Sequence, residues 1–326
     1  MNKTIYVSIA ACKEKYLIQT IKSAISNASD PDRLFFGICN TVIDDIDSIT
    51  DPFIVDNPQI NYMEIRFPRP LGTGISRLNA SFMSNNKHDY LFQIDAHEIF
   101  EKNWDLILID SLEELRQSWP KPIISCSPPW WQPDEEDNIL LFNDKNLVVD
   151  PYNLDTGDEY SQGPLMIDID PEDGEVFVIG NPRGQSDKYQ EHSLLFGAYV
   201  FSDFDLNYNL PHDPNNYWAG EQFEWALRGW TRGYRMFSLK KVICWTLNKY
   251  TPTKYLLDYD WRVAQSKESG KEKFWEQYQG HSNAKKYDIW HGNYFGIWGA
   301  PDKQSLDAYE KNMGLNFKEL FKDLTK

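Results

Sequence analysis

At the start of the chain, a continuous apolar run is followed by a segment in which apolar residues recur every three or four positions. The run from Ile5 to Cys12 is short and almost continuously apolar, which predicts a buried strand. A helix directly after it is indicated by apolar residues that recur at every third or fourth position: Leu17, Ile21, Ala24, Ile25 and Ala28. Pro31 lies just beyond this pattern, where a helix commonly ends.

The same alternation continues as far as residue 126. The pattern predicts strands over residues 33–39, 60–67, 90–94 and 122–126, and helices that begin near Gly72 and near Trp104. Strands that alternate with helices are typical of βαβ units. We therefore expect an α/β fold with a mostly parallel central sheet.

The pattern changes between about Pro128 and Asp187. Pro, Gly, Asp and Asn dominate there, and the helical repeat disappears. This composition predicts an irregular insertion or a small β-rich lobe, and long ordered loops are usually functional. Order returns over residues 192–201, a helix is predicted through Glu221 and Arg228, and the C-terminal segment is expected to be helical and loop-like.

The net charge limits the partners that the protein can bind, and the cysteines indicate its cellular compartment. The 326 residues carry a formal charge of −16, which opposes sequence-independent attraction to nucleic acid or to an anionic membrane, although a local basic groove is compatible with it. No apolar stretch reaches the length of about 18 residues that a membrane-spanning helix needs. The cysteines lie far apart without a zinc-type spacing, so we expect reduced thiols in a cytoplasmic protein: Cys12, Cys39, Cys126 and Cys244.

A carboxylate and an imidazole follow the strand predicted over residues 90–94. In the stretch YLFQIDAHEIF, one residue separates Asp95 from His97, so in an extended chain both side chains point to the same side. Ligands of open α/β sheets bind beyond the carboxyl ends of the strands. Asp95 and His97 could therefore hold one divalent cation beside a diphosphate. The alternative is that Asp95 caps the following turn and His97 is an exposed loop residue.

Several ordered motifs resemble one glycosyltransferase family. In chain order they read IYVSIAACKEKYLIQTIKSAI, DRLFFGIC, LGTGISRLNA, YLFQIDAHEIFEKNWD, LPHDPNNYWAGEQFEWALRGWTRGY and SLDAYEKNMGLNF. Together they resemble the family that includes the Skp1-hydroxyproline N-acetylglucosaminyltransferases, over most of the chain outside residues 128–187. The resemblance implies a Rossmann-like nucleotide-sugar-binding fold of A type, Mn²⁺ or Mg²⁺, a nucleotide-sugar donor that we expect to be a UDP-sugar, and transfer with retention of anomeric configuration.

The resemblance also implies how the chain is organised. Residues 1–326 would form one glycosyltransferase domain, with a nucleotide-binding half over residues 1–127 and an acceptor-binding half with a C-terminal lid over residues 188–326. The insertion between them, over residues 128–187, lies outside the matched motifs; because acceptor specificity usually comes from loops, we expect it to select the acceptor.

Individual residues receive candidate roles from the same resemblance. Asp95 and His97 would hold the metal, and Asp95 would also meet the donor. Ser8, Ala10 and Lys13 are expected to line the nucleotide. Asn40 is expected to recognise the base, and Arg77 to hold phosphate or base. The alternative for Arg77 is a surface cation on a helix.

The candidate catalytic and sugar-binding residues lie in the second half of the chain. Glu221 could orient the acceptor hydroxyl or stabilise positive charge at the anomeric carbon; alternatively it is a helix N-terminal charge favoured by the macrodipole. Asp213 is expected to shape its loop, and His212 and Trp218 to face the sugar. Trp225 could stack on sugar, although core packing is at least as good an explanation.

Departures from the family pattern concern the third metal ligand and the acceptor. The family commonly has a histidine in the strand after Thr-Arg-Gly-Tyr, whereas residues 242–246 here contain none. We predict that His291 completes the metal site, with His281 as the next candidate. The paired Trp130 and Trp131 at the start of the unmatched insertion could stack on the acceptor or simply pin the insertion to the domain.

Three functional hypotheses follow. The leading one is a metal-dependent retaining glycosyltransferase that acts on a protein hydroxyl such as that of hydroxyproline, Ser or Thr. The second keeps the chemistry but transfers the sugar to a hydroxymethylated base in DNA, as in phage-type DNA modification. The third is a sugar-binding module that has the fold without catalysis.

Overall fold

Strands from both halves of the chain build the central sheet. The computed structural model describes residues 3–67, 72–84, 87–141, 147–156, 165–169, 176–180, 189–214, 221–239, 241–247 and 303–316. The strands, numbered in chain order, are β1 (Ile5–Cys12), β2 (Leu34–Val42), β3 (Ile60–Arg66), β4 (Tyr90–Ile94), β5 (Glu98–Phe100), β6 (Pro122–Ser125), β7 (Trp130–Pro133), β8 (Ile139–Leu141), β9 (Leu147–Val149), β10 (Leu165–Ile169), β11 (Val176–Gly180), β12 (Gln190–His192), β13 (Tyr199–Asp203), β14 (Arg235–Ser238) and β15 (Cys244–Leu247). The α-helices are α1 (Leu17–Asn27), α2 (Pro52–Val55), α3 (Thr73–Phe82), α4 (Trp104–Arg116), α5 (Leu206–Asn209), α6 (Glu221–Thr231) and α7 (Lys303–Met313).

The main sheet has eight strands in the order β12-β14-β6-β13-β4-β1-β2-β3. The stretch β3-β2-β1-β4 is wholly parallel and has the strand order of a Rossmann-type half. Strand β13 then pairs antiparallel with both β4 and β6. Four of the seven pairings in this sheet are parallel, so the prediction of a mostly parallel α/β sheet is confirmed.

Aromatic side chains fill the core between the sheet and helix α4. Phe92, Phe100 and Trp104 are fully buried, and their rings pack with centroids 4.8–6.2 Å apart. Burial of each such side chain contributes about 1.5–3 kcal/mol. The indole N–H of Trp104 donates to the carbonyl of Ala24 at 2.8 Å, which ties α4 to α1 and satisfies the polar atom of a buried ring. Strand β4, which precedes the candidate site, is therefore held in place by its packing against helix α4.

The insertion contributes strands to a second sheet, with the order β5-β15-β7-β8-β9. Strand β7 pairs parallel with β15, and β15 pairs antiparallel with β5, directly after His97. The insertion is also held by Asn27, whose side chain donates to the carbonyl of Pro151 at 2.8 Å and accepts from the backbone N–H of Leu154 at 2.9 Å. Its described part is thus built of short strands joined to the rest of the domain.

The helices of the described ranges include none that is both apolar and long enough to cross a bilayer.

His192, at the end of β12, is a buried histidine that forms hydrogen bonds through both ring nitrogens. Nε2 donates to the carbonyl of Ser125 at 3.1 Å, and Nδ1 accepts the N–H of Leu194 at 3.4 Å. Burial disfavours a charged ring and lowers the pKa of His192 from 6.5 to about 4. The native ring is therefore neutral at pH values at which the same ring in the unfolded chain is protonated.

We predict that His192 makes the protein less stable as the pH falls from about 6.5 to 4. In this window the unfolded chain takes up a proton that native His192 does not, so stability present above pH 6.5 is progressively lost, by up to about 3 kcal/mol. Urea unfolding at a series of pH values should show a shallower loss for His192→Gln than for the parent. Identical pH slopes for the two proteins would contradict the assignment.

Candidate active site

The carboxyl ends of β1 and β4 bring the predicted residues to one edge of the sheet. Ile9 lies opposite Ile94 in this parallel pair, so the chain after β1 and Asp95 after β4 leave the sheet side by side. The backbone of Lys13 has φ 53°, in the left-handed region that non-glycine residues seldom adopt. The chain turns sharply there, and it brings Glu14 to the side of His97.

Arg77 joins the two carboxylates of the site. Its Nη1 lies 2.8 Å from each carboxylate oxygen of Glu221, and its Nη2 donates to Oδ1 of Asp95 at 3.1 Å. The Arg77 and Glu221 side chains are only 6% and 2% exposed, whereas that of Asp95 is 25% exposed. A charge buried this deeply needs a partner of opposite sign, so the three side chains form one electrostatic unit.

The surroundings of Arg77 exclude the alternative of a surface cation. The side chain projects from α3 into the interior and lies against Gly197, where an added Cβ would come within 2.1 Å of Nη1. Glycine at position 197 therefore makes room for the guanidinium. Arg77 holds Asp95 and Glu221 in this structure, and its proposed contact with phosphate or base remains a prediction.

Glu221 begins helix α6 and is an anion under all ordinary conditions. Burial raises the pKa of its carboxyl, but Arg77 and His212 outweigh that effect and hold the pKa at about 2, below the usual 4.5. The stability that this charge contributes is present above pH 4.5 and is lost as the pH falls through 2. Thr73 also donates to Oε2 of Glu221 at 3.3 Å. A permanently charged carboxylate can stabilise positive charge, but it cannot act as a proton donor.

Gln93 contacts His212, which in turn lies beside Glu221. Gln93 donates through Nε2 to the carbonyl of Gly197 at 2.7 Å, so its Oε1 is the acceptor for His212 Nε2 at 2.5 Å. His212 Nδ1 lies 3.3 Å from Oε1 of Glu221, and the ring packs on Trp225 with centroids 4.1 Å apart. Burial lowers the pKa of His212, and Glu221 opposes that shift. His212 and Trp225 are 3% and 1% exposed, so core packing describes Trp225 best.

His97 is buried and is held by two hydrogen bonds. Its Nδ1 lies 2.9 Å from Oε2 of Glu14, and its carbonyl accepts the indole N–H of Trp131 at 2.9 Å. Its Nε2 is 3.7 Å from Oδ2 of Asp95 and has no hydrogen-bond partner among the described residues. The alternative of an exposed loop histidine is excluded, because the residue is 3% exposed.

Asp95 and His97 fit part of a divalent metal site. Ligand distances for such ions are about 2.1 Å, so Oδ2 and Nε2 at 3.7 Å could reach the same cation. The described ranges contain no group of three His, Cys, Asp or Glu side chains that could hold a metal. Any further ligand must come from water, from the donor or from another part of the chain; the predicted His291 and its substitute His281 lie outside the described residues.

Glu14 and Gln93 were missed by the sequence reasoning. Glu14 follows the first predicted strand, so its place at a carboxyl end of the sheet could have identified it. Gln93 lies inside the apolar run of β4, and its polar amide in a buried strand is a signal in itself.

The residues that were predicted to contact the nucleotide differ in how far they are buried. Ser8 is fully buried within β1, and Asn40 is 1% exposed, with its amide donating to the carbonyl of Asp47 at 2.9 Å and to Tyr62 at 3.1 Å. Ala10 is partly exposed near the end of β1. Nζ of Lys13 lies 3.4 Å from Asp44. Ala10 and Lys13 are thus the more accessible of the four.

The tryptophan pair of the insertion is divided between core and surface. Trp131 is fully buried in a cluster with Ile99 and Trp245, whereas 46% of Trp130 is exposed. Pinning the insertion to the domain therefore describes Trp131, and only Trp130 of the pair presents an exposed ring. Asp213 is 2% exposed in the loop before α6, and Trp218 lies outside the described residues.

We predict that Arg77→Met destabilises the protein by about 3–5 kcal/mol, because it leaves the buried Glu221 charge without its partner. Glu221→Gln in the same background should restore part of the loss, since it removes the uncompensated charge. Arg66→Met is the matched control: Arg66 is 55% exposed and pairs with Asp45 on the surface, so the change should cost no more than about 1 kcal/mol. Urea unfolding measures all four proteins. Equal losses for Arg77→Met and Arg66→Met would refute the buried ion pair.

A comparison with solved structures finds similar chains. A crystal structure of GalNAc-T7 with UDP, GalNAc and Mn²⁺ superposes with a TM-score of 0.51 at 14% sequence identity, covering 99% of this chain and 58% of that one. The chain thus spans little more than half the length of that structure. A crystal structure of S. aureus TarS 1-349 in complex with UDP-GlcNAc matches at a TM-score of 0.41 and 10% identity, covering 76% of this chain and 59% of that one. The predicted Rossmann-like fold of A type is confirmed by the first of these similarities together with the sheet order.

Family membership is established by sequence. A comparison with curated proteins finds no match. The model of the family described as Glycosyltransferase (GlcNAc) matches residues 44–274, which is more than two thirds of the chain. The chain therefore belongs to the glycosyltransferase (GlcNAc) family.

Proposed function

We propose that the protein is a metal-dependent retaining glycosyltransferase that moves a sugar from a UDP-sugar to a hydroxyl of a protein, of the hydroxyproline, Ser or Thr type. The observation that carries the proposal is the buried pair at the carboxyl end of β4. His97 Nε2 lacks a hydrogen-bond partner within the described ranges and lies 3.7 Å from Oδ2 of Asp95. A buried nitrogen of this kind calls for a ligand, and a cation beside a carboxylate satisfies it.

The two residues would hold Mn²⁺ or Mg²⁺. When bound there, the cation neutralises charge that develops on the diphosphate leaving group. Arg77 donates to Oδ1 of Asp95, and Oδ2 of the same carboxylate lies 3.7 Å from His97 Nε2. Glu221 pairs with Arg77, and the unit of Arg77, Asp95 and Glu221 carries a net negative charge, which would favour a positively charged anomeric carbon in the transition state.

The identities of donor and metal are supported by family and fold. The matched family is a GlcNAc glycosyltransferase family, and the GalNAc-T7 structure contains UDP, GalNAc and Mn²⁺. Retention and the protein acceptor come from the sequence motifs that resemble the hydroxyproline-directed enzymes. His291 is the proposed third protein ligand, because the strand Cys244–Leu247 carries no histidine.

We predict that the protein hydrolyses one UDP-sugar slowly when Mn²⁺ is present, and that Asp95→Asn lowers this rate at least about 100-fold, because the metal loses an anionic ligand. A panel of nucleotide-sugars, each assayed with Mn²⁺ and with EDTA, identifies the donor. Asp95 is 25% exposed, and Arg77 keeps its buried partner Glu221 in this variant, so the melting temperature should change little.

Asp134→Asn is the matched control, since Asp134 lies in an exposed turn of the insertion and should leave the rate unchanged. Near-parental turnover by Asp95→Asn with Mn²⁺ would reject the metal assignment. Donor binding without turnover in any form of the protein would favour a sugar-binding module instead.

The acceptor class is tested with the identified donor. Transfer to hydroxyproline or Ser peptides supports the proposal, whereas transfer to DNA that contains hydroxymethylated bases would replace it. The formal charge of −16 argues against DNA, and binding to DNA through phosphates would weaken steeply with salt.

We predict that Trp130→Ala lowers transfer to the acceptor but leaves donor hydrolysis and stability unchanged, because its ring is exposed at the start of the insertion. An aromatic ring of this kind can stack on an acceptor. The neighbouring Trp131→Ala is the structural comparison: the buried indole should cost about 3–5 kcal/mol of stability on removal. Transfer and hydrolysis measured side by side separate the two residues. A parallel loss of both activities in Trp130→Ala would assign it to the chemistry rather than to the acceptor.

A further inference from the structure

The hydrogen bond between His97 and Glu14 determines where the proton of the imidazole lies. His97 Nδ1 and Glu14 Oε2 are 2.9 Å apart. A carboxylate has no hydrogen to donate, so the ring nitrogen must be the donor. In the neutral ring, the proton on Nδ1 leaves a lone pair on Nε2. Glu14 thus selects one of the two tautomers of His97.

The tautomer of His97 with its proton on Nε2 could not bind a metal through that nitrogen. Nε2 faces Oδ2 of Asp95 at 3.7 Å, and no hydrogen bond satisfies it within the described part of the chain. A proton on Nε2 would point at that carboxylate and form a hydrogen bond after a small movement. Glu14 and Asp95 therefore compete for a single proton. When Glu14 holds it, two electron-pair donors face each other across a gap that a cation can fill.

The position of Glu14 is fixed by the turn after β1. Lys13 has φ 53°, which reverses the chain so that Glu14 lies beside the imidazole. The backbone N–H of Tyr16 donates to Glu14 Oε1 at 3.4 Å. The rings of Tyr16 and Trp131 form a T-shaped pair with centroids 5.0 Å apart.

The loop that carries His97 is held on its other side. Trp131 donates its indole N–H to the carbonyl of His97, and Thr20 donates its hydroxyl to the carbonyl of Ala96 at 3.1 Å. The backbone of the loop and the proton position of the ring are thus set by different residues. Glu14 contacts the ring itself, through Nδ1.

We infer that Glu14 is a positioning residue: it keeps the proton of His97 on Nδ1 and so leaves Nε2 available to a divalent cation shared with Asp95. The tautomer is inferred from the hydrogen bond between His97 Nδ1 and Glu14, which is shorter than the distance from Nε2 to Asp95. The cation rests on the proposed function. A tautomer measurement and a metal-binding measurement therefore test the two parts separately.

The first experiment is nitrogen NMR of the full chain with isotope-labelled histidine, in the absence of metal. The chain has six histidines, and loss of a signal in His97→Gln assigns the ring of interest. The parent should show a protonated Nδ1 and an unprotonated Nε2. Glu14→Ala should shift the proton to Nε2, and Glu14→Gln, which can still accept a hydrogen bond, should give a mixture. Glu136→Gln, an exposed carboxylate in the insertion, should leave the parental signals unchanged.

The second experiment is Mn²⁺ binding to the same proteins, measured by electron paramagnetic resonance without donor and with UDP. Loss of a carboxylate partner of a metal-binding histidine weakens metal binding about 10–100-fold, so Glu14→Ala should lie in this range and Glu136→Gln should bind as the parent does.

The inference is overturned if parental His97 carries its proton on Nε2 or on both nitrogens, or if Glu14→Ala leaves the tautomer unchanged. It is also overturned if the tautomer shifts and Mn²⁺ binds Glu14→Ala as tightly as the parent. A parent with the expected tautomer that binds no Mn²⁺ contradicts the proposed metal dependence, and it supports the role of Glu14 in setting the tautomer.

Discussion

The charge of Arg77 lies between two carboxylates that come from distant parts of the chain. Asp95 follows β4 of the parallel half, and Glu221 begins α6, 144 positions after Arg77. Removal of one member of such a buried pair costs about 3–5 kcal/mol, since the remaining charge is left in a medium that solvates it poorly. Helix α3, helix α6 and the end of β4 must therefore meet at one point. The ion pairs of Arg77 that stabilise the fold there also orient Asp95.

The insertion and the candidate metal loop are parts of the same structure. Strand β7 carries Trp131, whose indole holds the backbone of His97, and β15 lies between β7 and the strand that follows His97. Trp130, the preceding residue, presents its ring to solvent. Alternation of side chains along a strand thus places one tryptophan behind the candidate metal loop and its neighbour on the surface. Acceptor selection and metal positioning would then come from adjacent residues of one short strand.

Sequence periodicity predicted the parallel half of the fold because each element there repeats its apolar positions locally. The end of β2 shows where local reasoning stops. The apolar run that predicted the second strand ends at Cys39, yet β2 continues to Val42 because residues 40–42 stay paired with β3, and the amide of Asn40 donates to Asp47 and Tyr62. These partners become visible only once the chain is folded. Asp95 and His97 were identified because they follow a recognisable strand.

The other site residues depend on contacts between distant segments. Nothing local to α3 indicates that Arg77 points inwards, since the space for it is made by Gly197. Glu14 was missed for a related reason: its partner His97 is 83 positions away. Motif resemblance supplied candidate roles for residues such as Glu221, but the pairing of Glu221 with Arg77 required the three-dimensional structure.

The pairing of β5 with β15 has a consequence for the order of events in folding. Ile99 pairs with Trp245, so the sheet beside His97 closes a very long stretch of chain. Loop closure costs conformational entropy before any contact repays it, and contacts between distant residues are slow to form. The parallel half, whose strands β1, β2 and β3 are neighbours in sequence, can assemble earlier. A ribosome would thus release the parallel strands β1, β2 and β3 before the surroundings of His97 exist, and the proposed cation site would be completed among the last steps of maturation.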